Sequence, residues 1–125
     1  MISGIGIDLV DIERVRRNIG RFGHRLAERI LSEAELEEYF QSCRQADYLA
    51  KRFAAKEAFS KALGTGLSGM VKARGISVSH NPAGQPLIEL DSDINDIISA
   101  RGILSCHLSL ADEKQHALAC VILEK

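Results

Sequence analysis

The chain of 125 residues predicts an α+β fold, mainly antiparallel sheet packed on a long central helix. Three observations carry this. Residues 2–10 alternate at the strand period. Residues 45–63 form one alanine-rich stretch with helical spacing and no proline or glycine. The second half is a series of short apolar runs separated by turn-forming clusters.

In order, "ISGIGIDLV" (2–10) reads as a strand, with Ile5, Ile7 and Leu9 on one face and Gly4, Gly6 and Asp8 on the other. Asp11 caps a helix in which Ile12, Val15 and Ile19 recur at helical spacing up to Gly20. "SEAE" (32–35) is a capping box, Ser32 with Glu35, opening a helix to about Gln41. The long helix runs from Gln45 to Leu63 and stops at Gly64. "GISVSH" and "PLIEL" flank the turn cluster "NPAGQ" as a hairpin. Ser92 caps a short helix to Arg101, with Gly102 beyond it. "ILSCHLSL" and "HALACVILE" are two strands joined around "ADEKQ".

This length suits one domain spanning 1–125. A net charge of −1 argues against a nucleic-acid binder, which shows a basic excess. No apolar run reaches the length of a membrane span, and the N-terminus lacks a signal-peptide layout, so a cytoplasmic protein without membrane attachment is expected. Cys43, Cys106 and Cys120 are scattered and odd in number, which fits reduced, mostly buried thiols.

The long helix holds the chemistry. At 100° per residue, Glu57 and Lys61 fall beside Ala46, Ala50, Phe53 and Ala54, while Lys51, Arg52 and Lys56 point elsewhere, so no clean solvated face remains. Buried charges need partners. One reading is a helix ion pair, since Glu57 and Lys61 stand at i, i+4 in the favourable order. The other begins from Asp8, a second acid in an apolar setting, on the strand face where Gly4 and Gly6 permit close approach of a backbone or a ligand. Two carboxylates and a lysine suit Mg²⁺ and phosphate: hard oxygen ligands for the ion and a point charge for the anion.

"GIGIDLVDIERV" (4–15), "KRFAAKEAFSKALGTG" (51–66), "NPAGQP" (81–86) and "HLSLADEKQHALACVIL" (107–123) resemble the holo-[acyl-carrier-protein] synthases. These are the short, trimeric group of the 4′-phosphopantetheinyl transferase superfamily. The similarity spans essentially the whole chain. The two-part hallmark G-x-D … F-x-x-K-E-x-x-x-K is present as Gly6, Asp8, Phe53, Lys56, Glu57 and Lys61.

The resemblance implies a 4′-phosphopantetheinyl transferase-like fold. It also implies an enzyme that moves the phosphopantetheine arm of coenzyme A onto a serine of an apo acyl carrier protein, releasing 3′,5′-ADP, in support of fatty-acid biosynthesis. Asp8 and Glu57 would hold Mg²⁺ against the pyrophosphate, and Lys61 would neutralise charge on the phosphoryl group. The base that takes the serine proton would be Glu57 or a water on the metal. Arg52 and the Gly64-Thr65-Gly66 turn would lie near the nucleotide, with Asn81 and Pro86 near the adenosine end. Read alone, "GTGLSG" is a weak phosphate-loop signal and more often a helix exit.

Many relatives carry S-x-S-H in the last-but-one strand; here the stretch reads Ser109-Leu110-Ala111-Asp112, so that histidine has no counterpart. Arg14, Arg17 and Arg21 form a stripe opposite Ile12, Val15 and Ile19. Alone it reads as a solvated face; the resemblance makes it the docking surface for an acidic carrier protein. A homotrimer with sites between subunits is implied as well. The rival reading is a non-catalytic module that binds a nucleotide or a carrier protein on the same fold.

Overall fold

The computed structural model describes residues 1–125. Ten elements run β1 (Ile2–Asp11), α1 (Ile12–Phe22), α2 (Arg25–Ile30), α3 (Glu33–Gln41), α4 (Gln45–Leu63), β2 (Ile76–His80), β3 (Pro86–Leu90), α5 (Ser92–Ala100), β4 (Ser105–Asp112) and β5 (His116–Glu124), with one 3₁₀ turn at Ala73–Gly75. The strands form two separate antiparallel sheets: β1-β5-β4, in which β1 and β4 are edges, and the hairpin β2-β3.

Local sequence explains most boundaries. The Asp11 carboxylate accepts from the backbone N–H of Glu13 and Arg14 and so starts α1. The α1 helix passes through Gly20, where the sequence suggested it would stop, and ends at Gly23, whose φ of 68° only glycine adopts freely. The capping box at Ser32 and Glu35 is formed. Gly64, in the left-handed conformation, ends α4 as expected. The cap of α5 lies one residue earlier than the sequence suggested: Asp91 accepts from Ile94 N–H at 2.9 Å, and Ser92 is the first helical residue. The α2 helix was not anticipated, because its six residues are too few for a helical period to stand out.

Helix α4 is central. Ala50, Ala54, Ala55, Ala58 and Phe59 are fully buried. One apolar cluster joins α4 to β5, β2 and α5; a second joins its N-terminal half to α1, α2 and Tyr39 of α3. No helix is long and apolar enough to cross a membrane. The cysteines differ from expectation: Cys43 is exposed, while Cys106 and Cys120 are half-buried.

The two faces of the β1-β5-β4 sheet are unlike. Ala117, Ala119, Val121 and Leu123 of β5 are buried against α4. On the opposite face Ile5, Ile7 and Leu9 are 60%, 56% and 62% exposed, and they stand across from Ile122, Cys120 and Leu118. The apolar side of β1 therefore faces away from this chain's core.

Candidate active site

Gly4 and Gly6 decide where the site lies. A Cβ on Gly6 would sit 1.8 Å from the Ala58 carbonyl oxygen, and one on Gly4 would sit 1.9 Å from that of Ala62. Of the two roles open to these glycines, close approach of a backbone is the one realised: α4 lies directly on β1. Asp8, next on the same face, is carried to the flank of the helix.

There it meets the charged residues of α4. Lys61 Nζ donates to Asp8 Oδ1 at 2.9 Å and to the Ile7 carbonyl at 3.1 Å. The i, i+4 ion pair with Glu57 is not formed; Lys61 reaches across to the strand instead. The Asp8 side chain is 16% exposed and that of Lys61 52%, so the pair sits at the rim of the site. Glu57 has no cationic partner within salt-bridge distance. Burial, and then the neighbouring Asp8 carboxylate, hold its carboxyl above the usual glutamate range, while Lys61 pulls the other way.

Asp8 and Glu57 line one cavity of about 440 Å³ together with Leu9, Val10, Arg14, Val15, Asn18 and Phe53. Arg14 thus projects into the cavity that holds the acids. Arg17 stays on the exposed face of α1 near Glu13 (3.8 Å), and Arg21 lies over the Phe22 ring. The donors at Asp8 and Glu57 fit a divalent cation: two carboxylates on one cavity wall, with no sulfur or imidazole among the lining residues.

The residues expected near the nucleotide do not line this cavity. Arg52 is only 7% exposed, stacked 4.0 Å over the Tyr48 ring, and its Nε makes no hydrogen bond. The N–H groups of Gly64, Thr65 and Gly66 all turn inward to the Ser60 carbonyl, at 2.9, 3.2 and 3.3 Å. Their backbone therefore forms a helix exit, with no N–H aimed outward as a phosphate cradle. Asn81 organises the hairpin loop, its Oδ1 accepting from Ala83 and Gln85 N–H, and Pro86 opens β3 opposite His80. His107 and His116 pair with Glu124 and Glu113.

Sequence reasoning missed the buried partner of Lys56. It is Glu35, the capping-box acid, with Nζ–Oε1 at 2.6 Å. The signal lay in the capping box itself, whose glutamate is 1% exposed and free to serve a second purpose.

Residues 4–121 match the profile of the family described as "4'-phosphopantetheinyl transferase superfamily". The holo-[acyl-carrier-protein] synthase of Nitrosomonas eutropha is 50% identical over 125 residues, the full length of both chains. Among solved structures, the Neisseria meningitidis holo-[acyl-carrier-protein] synthase superposes with a TM-score of 0.95 at 43% identity, covering 100% of each chain. The Helicobacter pylori synthase, solved in complex with coenzyme A, gives 0.83 at 32% identity, covering 96% of this chain and 99% of that one. Sequence similarity along the whole length and a matching fold point the same way: the chain belongs to the 4′-phosphopantetheinyl transferase superfamily and is an enzyme of that family.

Proposed function

We propose that this enzyme transfers 4′-phosphopantetheine from coenzyme A to a serine of an apo acyl carrier protein, with Mg²⁺, in the cytoplasm and in support of fatty-acid synthesis. The observation that carries the reading is the convergence of Asp8 and Glu57 on one cavity wall beside Arg14, with Lys61 bonded to Asp8 at its rim. Relatives that share the fold are named for this activity, and the H. pylori protein binds coenzyme A.

Asp8 and Glu57 would hold the Mg²⁺, which when bound draws charge from the pyrophosphate oxygens of coenzyme A. Lys61 fixes Asp8 through its 2.9 Å bond and presents its ammonium to the phosphoryl group. The serine oxygen forms a bond to phosphorus as the bond to the 3′,5′-ADP oxygen breaks. Glu57, on the same cavity wall, takes the serine proton. No residue of the chain acts as a covalent nucleophile, so positioning and charge stabilisation account for catalysis. Arg14, Arg17 and Arg21, all exposed, offer an acidic carrier protein a positive approach to the cavity mouth.

The exposed apolar face of β1 supports assembly into a homotrimer: Ile5, Ile7 and Leu9 with Leu118 and Ile122 form one continuous sheet surface.

Incubation with coenzyme A, Mg²⁺ and an apo carrier protein tests the reading. A mass gain of one phosphopantetheine on the carrier, abolished by Asp8→Ala or Glu57→Ala, is expected. Binding of coenzyme A with no mass gain would make the protein a binding module instead.

A further inference from the structure

Lys56, immediately before Glu57, is fully buried, and so is its partner Glu35. Its Nζ lies within hydrogen-bond distance of four oxygens: Glu35 Oε1 at 2.6 Å and the carbonyls of Ile76, Ile30 and Ala73 at 2.5, 2.9 and 2.9 Å. All four are acceptors, so the nitrogen is an ammonium. A neutral amine would turn a lone pair toward oxygen. Burial, the larger effect, lowers its proton affinity below the ordinary lysine value, and Glu35 opposes it in part. Glu35 in turn accepts from Ser32 N–H through Oε1 at 3.0 Å and from Val78 N–H through Oε2 at 3.0 Å. One lysine therefore ties α4 to the end of α2, the start of α3, the 3₁₀ turn and β2.

On the side of α4 that faces β1 the polar tie is Lys61, half exposed, bonded to Asp8 and to the Ile7 carbonyl. The rest of that seam is glycine against alanine backbone. It sets how close helix and strand approach, and one solvent-exposed lysine holds the rotation of the helix less firmly than a buried four-way clamp. A rotation of about 20° at a side-chain radius of roughly 5–6 Å displaces a carboxylate by about 2 Å. That is more than a metal ligand or a reacting group tolerates.

We propose that Lys56, clamped by Glu35, is a positioning residue: the pair sets the rotation of α4 and thereby aims Glu57 at Asp8. This rests on the reading of Asp8 and Glu57 as the metal-holding pair. The hydrogen bonds are directional and the acceptors belong to four different segments, so the clamp adds an angular constraint to the packing of α4. Lys56 touches no substrate and takes no part in the transfer itself.

The test uses the full-length protein with Lys56→Met/Glu35→Leu, an apolar pair of similar volume that removes both charges together. Mn²⁺ binding by electron paramagnetic resonance, kcat, and KM for coenzyme A are measured alongside thermal melting and oligomeric state. The expected result is a cooperatively folded variant with wild-type assembly, Mn²⁺ affinity lowered about tenfold or more and kcat lowered about 100-fold, with KM changed far less. A folded variant with wild-type Mn²⁺ affinity and kcat would overturn the proposal and leave the pair a stabilising contact only. If the double variant does not fold, Glu35→Gln carries the test. It keeps the shape of the site and the three carbonyl contacts, and it should weaken Mn²⁺ binding in the same direction; unchanged binding and kcat overturn the proposal. Glu57→Ala serves as control. Should it retain Mn²⁺ binding, the metal reading itself fails and this proposal with it. Should it lose binding while the clamp variants keep theirs, the positioning role alone fails.

Discussion

Lys61 Nζ lies 2.9 Å from Asp8 Oδ1, across 53 residues of sequence, while Glu57 on the same helix goes without a cation. The lysine belongs to the strand acid and not to its helical neighbour. One carboxylate is thus oriented and partly neutralised, and the other is left free to bind a metal or accept a proton. Lys61→Ala should therefore lower kcat more than it raises KM for coenzyme A. Steady-state kinetics showing a change in KM alone would make Lys61 a ground-state binding residue.

Glu57 carries a stability cost of its own in the metal-free protein. Its carboxyl is raised above the ordinary 4.5, so the folded state holds this proton more tightly than the unfolded chain. Its favourable contribution is full below the unfolded pKa and is lost as pH rises through the folded one. Glu57→Gln should accordingly melt higher than wild type at neutral pH without metal, with the difference closing under acid, while transfer is abolished. Mg²⁺ should raise the Tm of wild type and leave that of Glu57→Gln nearly unchanged. Melting curves across pH with and without Mg²⁺ check both halves. A Glu57→Gln variant that melts no higher at neutral pH would refute the electrostatic account.

Gly6→Ala should be far more damaging than a single methyl group suggests. The new Cβ would meet backbone, the Ala58 oxygen at 1.8 Å and the Ala62 nitrogen at 2.7 Å, so neither side can yield by changing a rotamer. Overpacking of this kind costs about 1–3 kcal/mol or more, and relief by lifting α4 off β1 would also part Glu57 from Asp8. Denaturant midpoints and activity should fall together.

Reversing charge at Arg17 and Arg21, which lie outside the cavity, should weaken use of the carrier protein, seen in kcat/KM for the carrier, and spare coenzyme A binding. The wild type should lose carrier affinity as salt rises, with screening over roughly 8 Å at physiological ionic strength, and the reversed variant should be much less sensitive. An unchanged KM for the carrier would return these arginines to the role of a solvated face.

If the outer face of β1 is covered by other copies, Ile7→Asp should give a folded monomer that has lost activity. Cys120, across from Ile7, should become reactive to alkylation in that variant only, whereas exposed Cys43 reacts in both. Sedimentation and mass spectrometry of the alkylated protein decide the matter. An active monomer would rule out sites shared between subunits.

What the sequence determined by itself was whatever short-range chemistry controls. The caps at Asp11 and Ser32, the glycine exit at Gly64, the period of β1 and the hairpin around "NPAGQ" are all set by residues within a few positions of one another. The acids and the lysine of the site were legible because carboxylates in apolar settings need a reason to be there. Tertiary structure alone decided the pairings. Lys61 chose Asp8 over Glu57 because the Gly4 and Gly6 seam brings β1 against α4. Lys56 found Glu35 because α3 folds back over the middle of α4. The apolar face of β1 turned outward for the same reason: side chains alternate along a strand, and the face without side chains was the only one on which a helix could lie so close.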